Sequence, residues 1–198
     1  MTKKARAKCI LIAVGVATIF PLTVNSQFYF LADLGNSANT DYSFTEVNSP
    51  AVTNDTNYTS YRLGVGYITP VSEKIGIGAE AAYNSYGSSE YNFLNHDHMN
   101  ITFKANDILV VSSYQFTEHW EAHLKAGAAY EEVKATEDYW QMNLTEKEWV
   151  PEAAIGARYF INEHFAIHAD LAYLMGWESQ LTNMPDITVG WLGINYYL

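Results

Sequence analysis

The chain has 198 residues, with 11 Lys and Arg against 22 Asp and Glu, and its formal net charge is −11. This acidic excess argues against nucleic acid as a partner, because phosphate binding requires patches of Lys and Arg. The length suits a single domain. The only cysteine is Cys9, so the chain can form no internal disulfide.

The first 26 residues have the layout of a secretory signal peptide. Basic residues at positions 3, 4, 6 and 8 precede an apolar run over residues 9–20, and Ser26 follows as a small residue at a cleavage position. The alternative is a membrane anchor, but the run is shorter than the roughly 20 residues that span a bilayer core. We expect cleavage after Ser26. Removing the four basic residues leaves 7 basic and 22 acidic residues in the barrel domain predicted for residues 27–198, a net charge of −15 and no thiol.

Alternation of apolar and polar residues predicts β-strands in this domain. In residues 61–67 the odd positions are apolar or aromatic and the even positions are Arg or Gly. The eight predicted strands are 27–35, 58–68, 75–85, 102–116, 120–130, 149–160, 165–175 and 187–198. Short turns near residues 70–73, 117–119 and 162–164 alternate with long polar connections at 36–57, 86–101, 131–148 and 176–186. This asymmetry is typical of an outer-membrane barrel, with the long connections outside the cell.

The residue types on the two faces of the predicted strands also favour a closed eight-stranded antiparallel up-and-down barrel over a soluble β-sandwich. Glycine interleaved with single charges suits a narrow interior, where it makes room for long side chains from other strands. Tyrosines bracket each short turn at regular spacing, as expected of two aromatic girdles; they are Tyr67, Tyr83, Tyr114, Tyr130, Tyr159 and Tyr173. The alternative is that these tyrosines are simply good strand formers.

The last residues resemble the insertion signal of bacterial outer-membrane proteins, an alternating strand that ends in an aromatic residue. Leu192, Ile194, Tyr196 and Leu198 alternate with polar or small residues up to the end of the given sequence, where Leu replaces the usual Phe. This resemblance implies recognition by the barrel assembly machinery during insertion.

Several strand segments together resemble the OmpA-type outer-membrane β-barrel family. They are FYFLADLG at residues 28–35, RLGVGY at 62–67, GAE at 78–80, SYQFT at 113–117 and KAG at 125–127. The resemblance covers nearly all of residues 27–198 and implies a bacterial outer membrane, with its lipid and lipopolysaccharide, as the surroundings. We expect no peptidoglycan-binding domain of the kind that longer members carry.

Charged residues at alternating positions are predicted to point into the barrel, because a charge on the lipid face costs about 2–4 kcal/mol. The predicted inward set is Asp33, Arg62, Glu80, Asp107, Lys125, Glu152, Arg158, His168 and Asp170. If the first turn pairs Tyr67 with Ile75, Arg62 and Glu80 lie face to face. The set either plugs the lumen as a hydrogen-bonded network or lines a narrow ion path; the small diameter favours the plug.

Two further chemistries remain open alternatives. His168 with Asp170 could serve a lipid A-modifying enzyme, but the His-x-Ser pair of such enzymes would require Ser at position 170, and a structural polar pair is favoured. His96 and His98 could bind a transition metal, although a third ligand is not evident. We therefore expect no cofactor, no resident metal and no enzymatic activity, with function in the acidic outer connections toward an unidentified extracellular ligand.

Overall fold

The computed structural model describes residues 27–39, 51–57, 59–93, 98–137, 142–177 and 186–198. Nine strands occur in these ranges: β1 (Gln27–Asn39), β2 (Ala51–Asn57), β3 (Thr59–Pro70), β4 (Ile75–Phe93), β5 (His98–Gln115), β6 (Trp120–Glu137), β7 (Met142–Phe160), β8 (Phe165–Leu174) and β9 (Ile187–Tyr197). None of the described segments is a helix long and apolar enough to cross a membrane. The predicted signal peptide lies outside the described residues and stays a prediction.

Eight of these strands close into an antiparallel barrel, which confirms the predicted fold class. The order around the barrel is β4, β3, β1, β9, β8, β7, β6 and β5, and pairing between β5 and β4 closes the circle. The remaining strand, β2, continues the line of β3 along the same edge of β4. The β4–β5 register shifts between Ser85 and Ser88. Gly87 at that bulge has a φ of 93°, a conformation that glycine adopts without steric cost.

The outward face is stratified as a membrane requires. On β6, Trp120 and Tyr130 both face outward and stand ten positions apart, with exposed Leu124 between them. At about 3.3 Å per residue and a tilt of about 40°, these ten steps rise about 25 Å, the height of the apolar band of such barrels. The tyrosines at the predicted girdle positions all point outward, and Tyr130 packs on Trp149 with ring centroids 5.1 Å apart.

The three short turns are built alike, and their predicted positions are confirmed. Ser72, Thr117 and Asn162 open them at a spacing of 45 residues. Each side chain accepts hydrogen bonds from the backbone N–H groups two and three residues later; for Asn162 both distances are 2.9 Å. This Asx- or ST-type turn satisfies local donors and fixes a four-residue connection. A Glu and then a Lys or His follow in every turn.

The strands on one side extend well beyond the predicted bounds. Much of the predicted connections at 86–101 and 131–148 is β-strand, and β2 lies within the predicted connection at 36–57. The prediction was wrong there because it used apolar alternation as its signal. Above the girdle the outward face meets water, and the buried inward face mixes charged Glu131 with apolar Tyr86, Ile101 and Val133, so the regular alternation is lost while the backbone ladder continues. We call these extensions of β4, β5, β6 and β7, together with β2, the outer strand wall.

Candidate functional site in the barrel lumen

Arg62 organises the middle of the lumen. Its Nε donates to Asp33 Oδ2 on β1 at 2.5 Å, and its Nη2 donates to Asp170 Oδ2 on β8 at 2.8 Å. A longer ion pair joins Nη1 to Glu80 Oε1 at 3.8 Å, and the guanidinium lies 5.3 Å from the ring centroid of Trp191 on β9. One planar cation on β3 therefore contacts four other strands across the barrel.

Lys125 supplies the second central cation from β6. Its Nζ donates to both carboxylate oxygens of Glu80 at 3.0 Å and to Asp170 Oδ2 at 2.8 Å. Tyr29 on β1 donates its hydroxyl to Glu80 Oε2 at 2.8 Å. Because Arg62 and Lys125 share Asp170, the two cations and their carboxylates form one continuous network.

Two histidines border this network. His123 Nε2 lies 2.6 Å from Asp170 Oδ1, and His168 Nε2 lies 3.0 Å from Asp33 Oδ1. Each histidine therefore contacts a carboxylate that Arg62 also binds. The Nδ1 atoms of both rings are buried without a protein partner in the described part of the chain. The contact of His123 with Asp170 is a hydrogen bond, whereas His168 Nε2 and Asp33 Oδ1 are close without hydrogen-bond geometry.

Glycines make room for these groups, as the sequence predicts for a narrow barrel. A Cβ added to Gly156 would stand 2.5 Å from His123 Nε2 and closer still to Asp170 Oδ1. At Gly193 it would overlap the carboxylate of Asp33. Real Cβ atoms do not approach other heavy atoms so closely, so the network requires glycine at both positions.

Above the central network, toward the outer face, the lumen becomes apolar. Asn84 Nδ2 donates to Asp107 Oδ2, and the Asp107 carboxyl adjoins that of Glu152. Over this layer Tyr86 packs on Trp191, with centroids 6.1 Å apart. The other buried members of this apolar layer are Ile101, Phe103, Ala105, Ala129, Val133, Val150, Ala154, Ala172, Leu174, Ile187 and Val189. The prediction of a polar plug omitted this layer, because aliphatic side chains facing inward and outward look alike in the sequence.

The end of the lumen that carries the three short turns is filled by an arginine between aromatic rings. Arg158 Nη1 donates to Glu121 Oε1 at 2.6 Å, and its guanidinium lies 5.3 Å and 5.8 Å from the ring centroids of Tyr29 and Tyr197. Below it lies an open cavity of about 580 Å³, lined by Ser113, Glu121 and residues of all three turns. This cavity is a vestibule at the turn end of the barrel, and its lining includes Glu121, the partner of Arg158.

Glu131 lies at the outer mouth, one residue beyond Tyr130 of the outer girdle. It is buried, and Trp177 Nε1 donates to its Oε2 at 2.9 Å. Burial raises the pKa of the Glu131 carboxyl to about 7, although the hydrogen bond from Trp177 acts in the opposite direction. This carboxyl therefore titrates near neutral pH, outside the membrane-spanning part of the barrel.

The structure places all nine residues of the predicted inward set at buried, lumen-facing positions. It adds buried polar residues that the prediction did not name, including Tyr29, Asn84, Glu121, His123 and Glu131. Glu121 and His123 lie four and two positions before Lys125 on β6, so all three side chains point to the same side of the strand. The alternation in the sequence was sufficient to place them in the lumen.

The predicted face-to-face pairing of Arg62 with Glu80 was wrong in register. Arg62 pairs with Asn84 across the β3–β4 ladder, and Glu80 pairs with Gly66. Paired residue numbers sum to 146 and not to 142, so the turn is centred on Glu73 and not on Val71, and each partner on β4 lies four residues further along the chain. The two side chains still approach to 3.8 Å, but their shorter bonds are to other partners.

The other candidate sites have different outcomes. Leu192, Ile194, Tyr196 and Leu198 are exposed on the outward face of the barrel end, and their role as an insertion signal stays a prediction. His96 lies outside the described residues, as does the side chain of His98. Within the described segments, no group of three His, Cys, Asp or Glu residues could hold a metal ion. His168 faces Asp33 and not the predicted Asp170.

The closed barrel, its outward apolar band between aromatic girdles and its charged interior define a small integral outer-membrane barrel. The family model for the outer membrane protein beta-barrel domain matches residues 9–191. The chain belongs to this family of bacterial outer-membrane proteins. No curated protein matches the sequence significantly.

Solved structures of small outer-membrane barrels share the fold at low sequence identity. Ail, the attachment invasion locus protein of Yersinia pestis, has a TM-score of 0.55 and 13% identity over 87% of this chain and 97% of its own. Neisserial surface protein A has a TM-score of 0.55 and 12% identity over 85% and 96%. OprG from Pseudomonas aeruginosa has a TM-score of 0.51 and 12% identity over 87% and 96%. These likenesses show the fold alone.

Proposed function

We propose that this protein is a closed-lumen outer-membrane barrel whose role lies at its outer surface and not in transport. The observation that carries the proposal is the filling of the lumen by two successive layers. Arg62 and Lys125 bind carboxylates across its full width, and the apolar layer around Tyr86 and Trp191 covers them on the outer side. An ion would have to separate buried ion pairs and then cross an apolar constriction.

Conductance in planar bilayers tests the closed lumen. The purified barrel is expected to show no reproducible channel steps under conditions in which a porin, reconstituted in parallel, conducts. A variant with Tyr86→Ala and Trp191→Ala thins the apolar layer and should raise leakage if that layer helps to close the lumen. Regular steps from the unaltered protein would contradict the proposal and favour the narrow pore.

The burial of both lumen histidines supports a non-enzymatic role. His123 and His168 are each 2% exposed and contact carboxylates already bound by Arg62. A lipid or peptide substrate could not reach them without opening the network. Purified protein incubated with lipid A should leave its mass unchanged. Loss of an acyl chain that depends on His168 would contradict this part of the proposal.

The outer strand wall is the element that we propose carries the surface role. β6 continues for seven residues beyond Tyr130, which at about 3.3 Å per residue and a tilt of about 40° raises it about 18 Å above the girdle. A paired ladder of this length presents residues on a rigid support, where binding positions are typically found.

A further inference from the structure

The basic residues after residue 26 occupy three kinds of position in the barrel. Of the seven Lys and Arg after residue 26, Arg62, Lys125 and Arg158 fill the lumen, and Lys74 lies in a short turn. The remaining three are Lys104, Lys134 and Lys147, and all three are exposed. In a domain with a predicted net charge of −15, their location on one surface needs an explanation.

These three lysines form one patch on adjacent strands. Lys104 on β5 pairs with Glu132 on β6, and Glu132 pairs with Lys147 on β7, so the three residues make a row across the sheet. Lys134 faces outward two residues further up β6. Lys147 Nζ forms an ion pair with Glu132. This outward lysine patch therefore carries three positive charges and one negative charge.

The patch lies just above the outer aromatic girdle. Tyr130 and Trp149 face outward in the row immediately below Glu132 and Lys147. Two residues along a tilted strand rise about 5 Å, which places the ammonium groups at the headgroup level of the outer leaflet. On β1, β3 and β9 the outward positions Asn36, Thr59 and Thr188 are neutral, and Asp186 accepts a hydrogen bond from the outward Tyr173, so the described residues there offer no comparable basic group.

Binding to a soluble anion is less well matched by this geometry. The lysines point away from the barrel wall at membrane level, whereas a soluble ligand would meet the higher part of the outer strand wall. Lys134 shares its row with Thr102 and Thr145, which add hydroxyl groups that can donate to phosphate oxygens. The only acid in the patch, Glu132, keeps Lys147 oriented.

We propose that Lys104, Lys134 and Lys147 form a binding site for the phosphate groups of the lipopolysaccharide headgroup. The proposal deepens the proposed surface role, since it requires that the barrel span the outer membrane in the stated orientation. It does not depend on the closed lumen, so a conducting barrel would leave it standing. The site fixes one side of the barrel, the β5–β7 side, against the glycolipid.

The test compares lipid A retention by the intact protein and by the triple variant K104Q/K134Q/K147Q. A basic residue near an anionic membrane surface contributes about a fivefold gain in affinity. Because Glu132 offsets part of this charge, we expect the triple variant to bind bisphosphorylated lipid A about tenfold to 100-fold more weakly by native mass spectrometry. K74Q is the matched control, since it removes an exposed lysine from the opposite end of the barrel and should leave retention unchanged.

Three further measurements make the outcome decisive. Dephosphorylated lipid A should bind the unaltered protein and the triple variant equally, and added salt should weaken only the phosphate-dependent component. Inorganic phosphate alone should not bind measurably. If the triple variant folds, shows heat-modifiable mobility and retains lipid A as K74Q does, the proposal is overturned. It is also overturned if the triple variant no longer binds a soluble sulfated polysaccharide but still binds lipid A as the unaltered protein does.

Discussion

Replacement of Arg62 by Met removes the central cation while preserving much of its length. Asp33 loses its 2.5 Å bond and retains only the contact with His168, whereas Asp170 keeps Lys125 and His123. Removing one partner of a buried ion pair typically lowers the free energy of unfolding by about 3–5 kcal/mol. Because Asp170 remains well bound, we expect about 3 kcal/mol for R62M, with most of the loss arising at Asp33.

Urea unfolding of the barrel in lipid vesicles, followed by Trp fluorescence and by the heat-dependent gel shift, measures this loss. R158M is the matched control, because its partner Glu121 lines the open cavity at the turn end and can be hydrated. It should cost about 1.5 kcal/mol, as expected for one charged hydrogen bond. Adding Asp33→Asn to R62M should recover part of the loss. The reasoning is refuted if R62M costs no more than R158M, or if Asp33→Asn worsens it.

The remaining predictions address space, pH and orientation. G156A should lower the free energy of unfolding by about 1–3 kcal/mol through overpacking, while G190A, where an added Cβ meets nothing within 4 Å, should stay within about 0.5 kcal/mol in the same assay. Because the folded state raises the pKa of Glu131 to about 7, its stabilising protonation is complete below the ordinary carboxyl pKa and is lost as pH rises through 7. The free energy of unfolding should therefore fall from about pH 5 to pH 7 and level off above pH 7, and E131Q should flatten that dependence; an unchanged slope in E131Q would contradict it. An epitope inserted at residue 141 should be labelled on intact cells and one at Glu73 should not; the reverse pattern would invert the orientation.

The membrane-spanning part of the fold could be predicted from the sequence because lipid imposes a strict pattern. Every outward residue in the apolar band must be compatible with hydrocarbon. Alternation therefore shows where the strands lie and which charged residues point inward. Asp33, Lys125 and Asp170 could be assigned inward for that reason. The turns were also predictable, since Ser72, Thr117 and Asn162 are followed by the same residue types at equal spacing.

The partners of the lumen residues could not be predicted, because they depend on strand register and on how far each side chain extends across the lumen. The centre of the first turn lies at Glu73, two residues beyond the supposed centre at Val71, and that shift gave Arg62 the partner Asn84 instead of Glu80. The bond from Arg62 to Asp170 joins residues 108 positions apart, and it depends on barrel closure. The outer strand wall was missed because no lipid constrains residues above the girdle.

Basic residues are scarce in this chain, and their positions along the barrel axis are therefore informative. With seven cations against 22 acids after the predicted cleavage site, a random placement would leave most lysines scattered among acidic neighbours. Instead, three cations neutralise carboxylates inside the barrel, where an unpaired charge costs several kcal/mol. Three others lie together outside it, at a level where an acidic surface would be repelled by phosphorylated headgroups. Since the same row holds Lys104 and Lys147 around Glu132, the patch keeps its positive sign even with that acid ionised, and this side of the barrel stays compatible with an anionic leaflet.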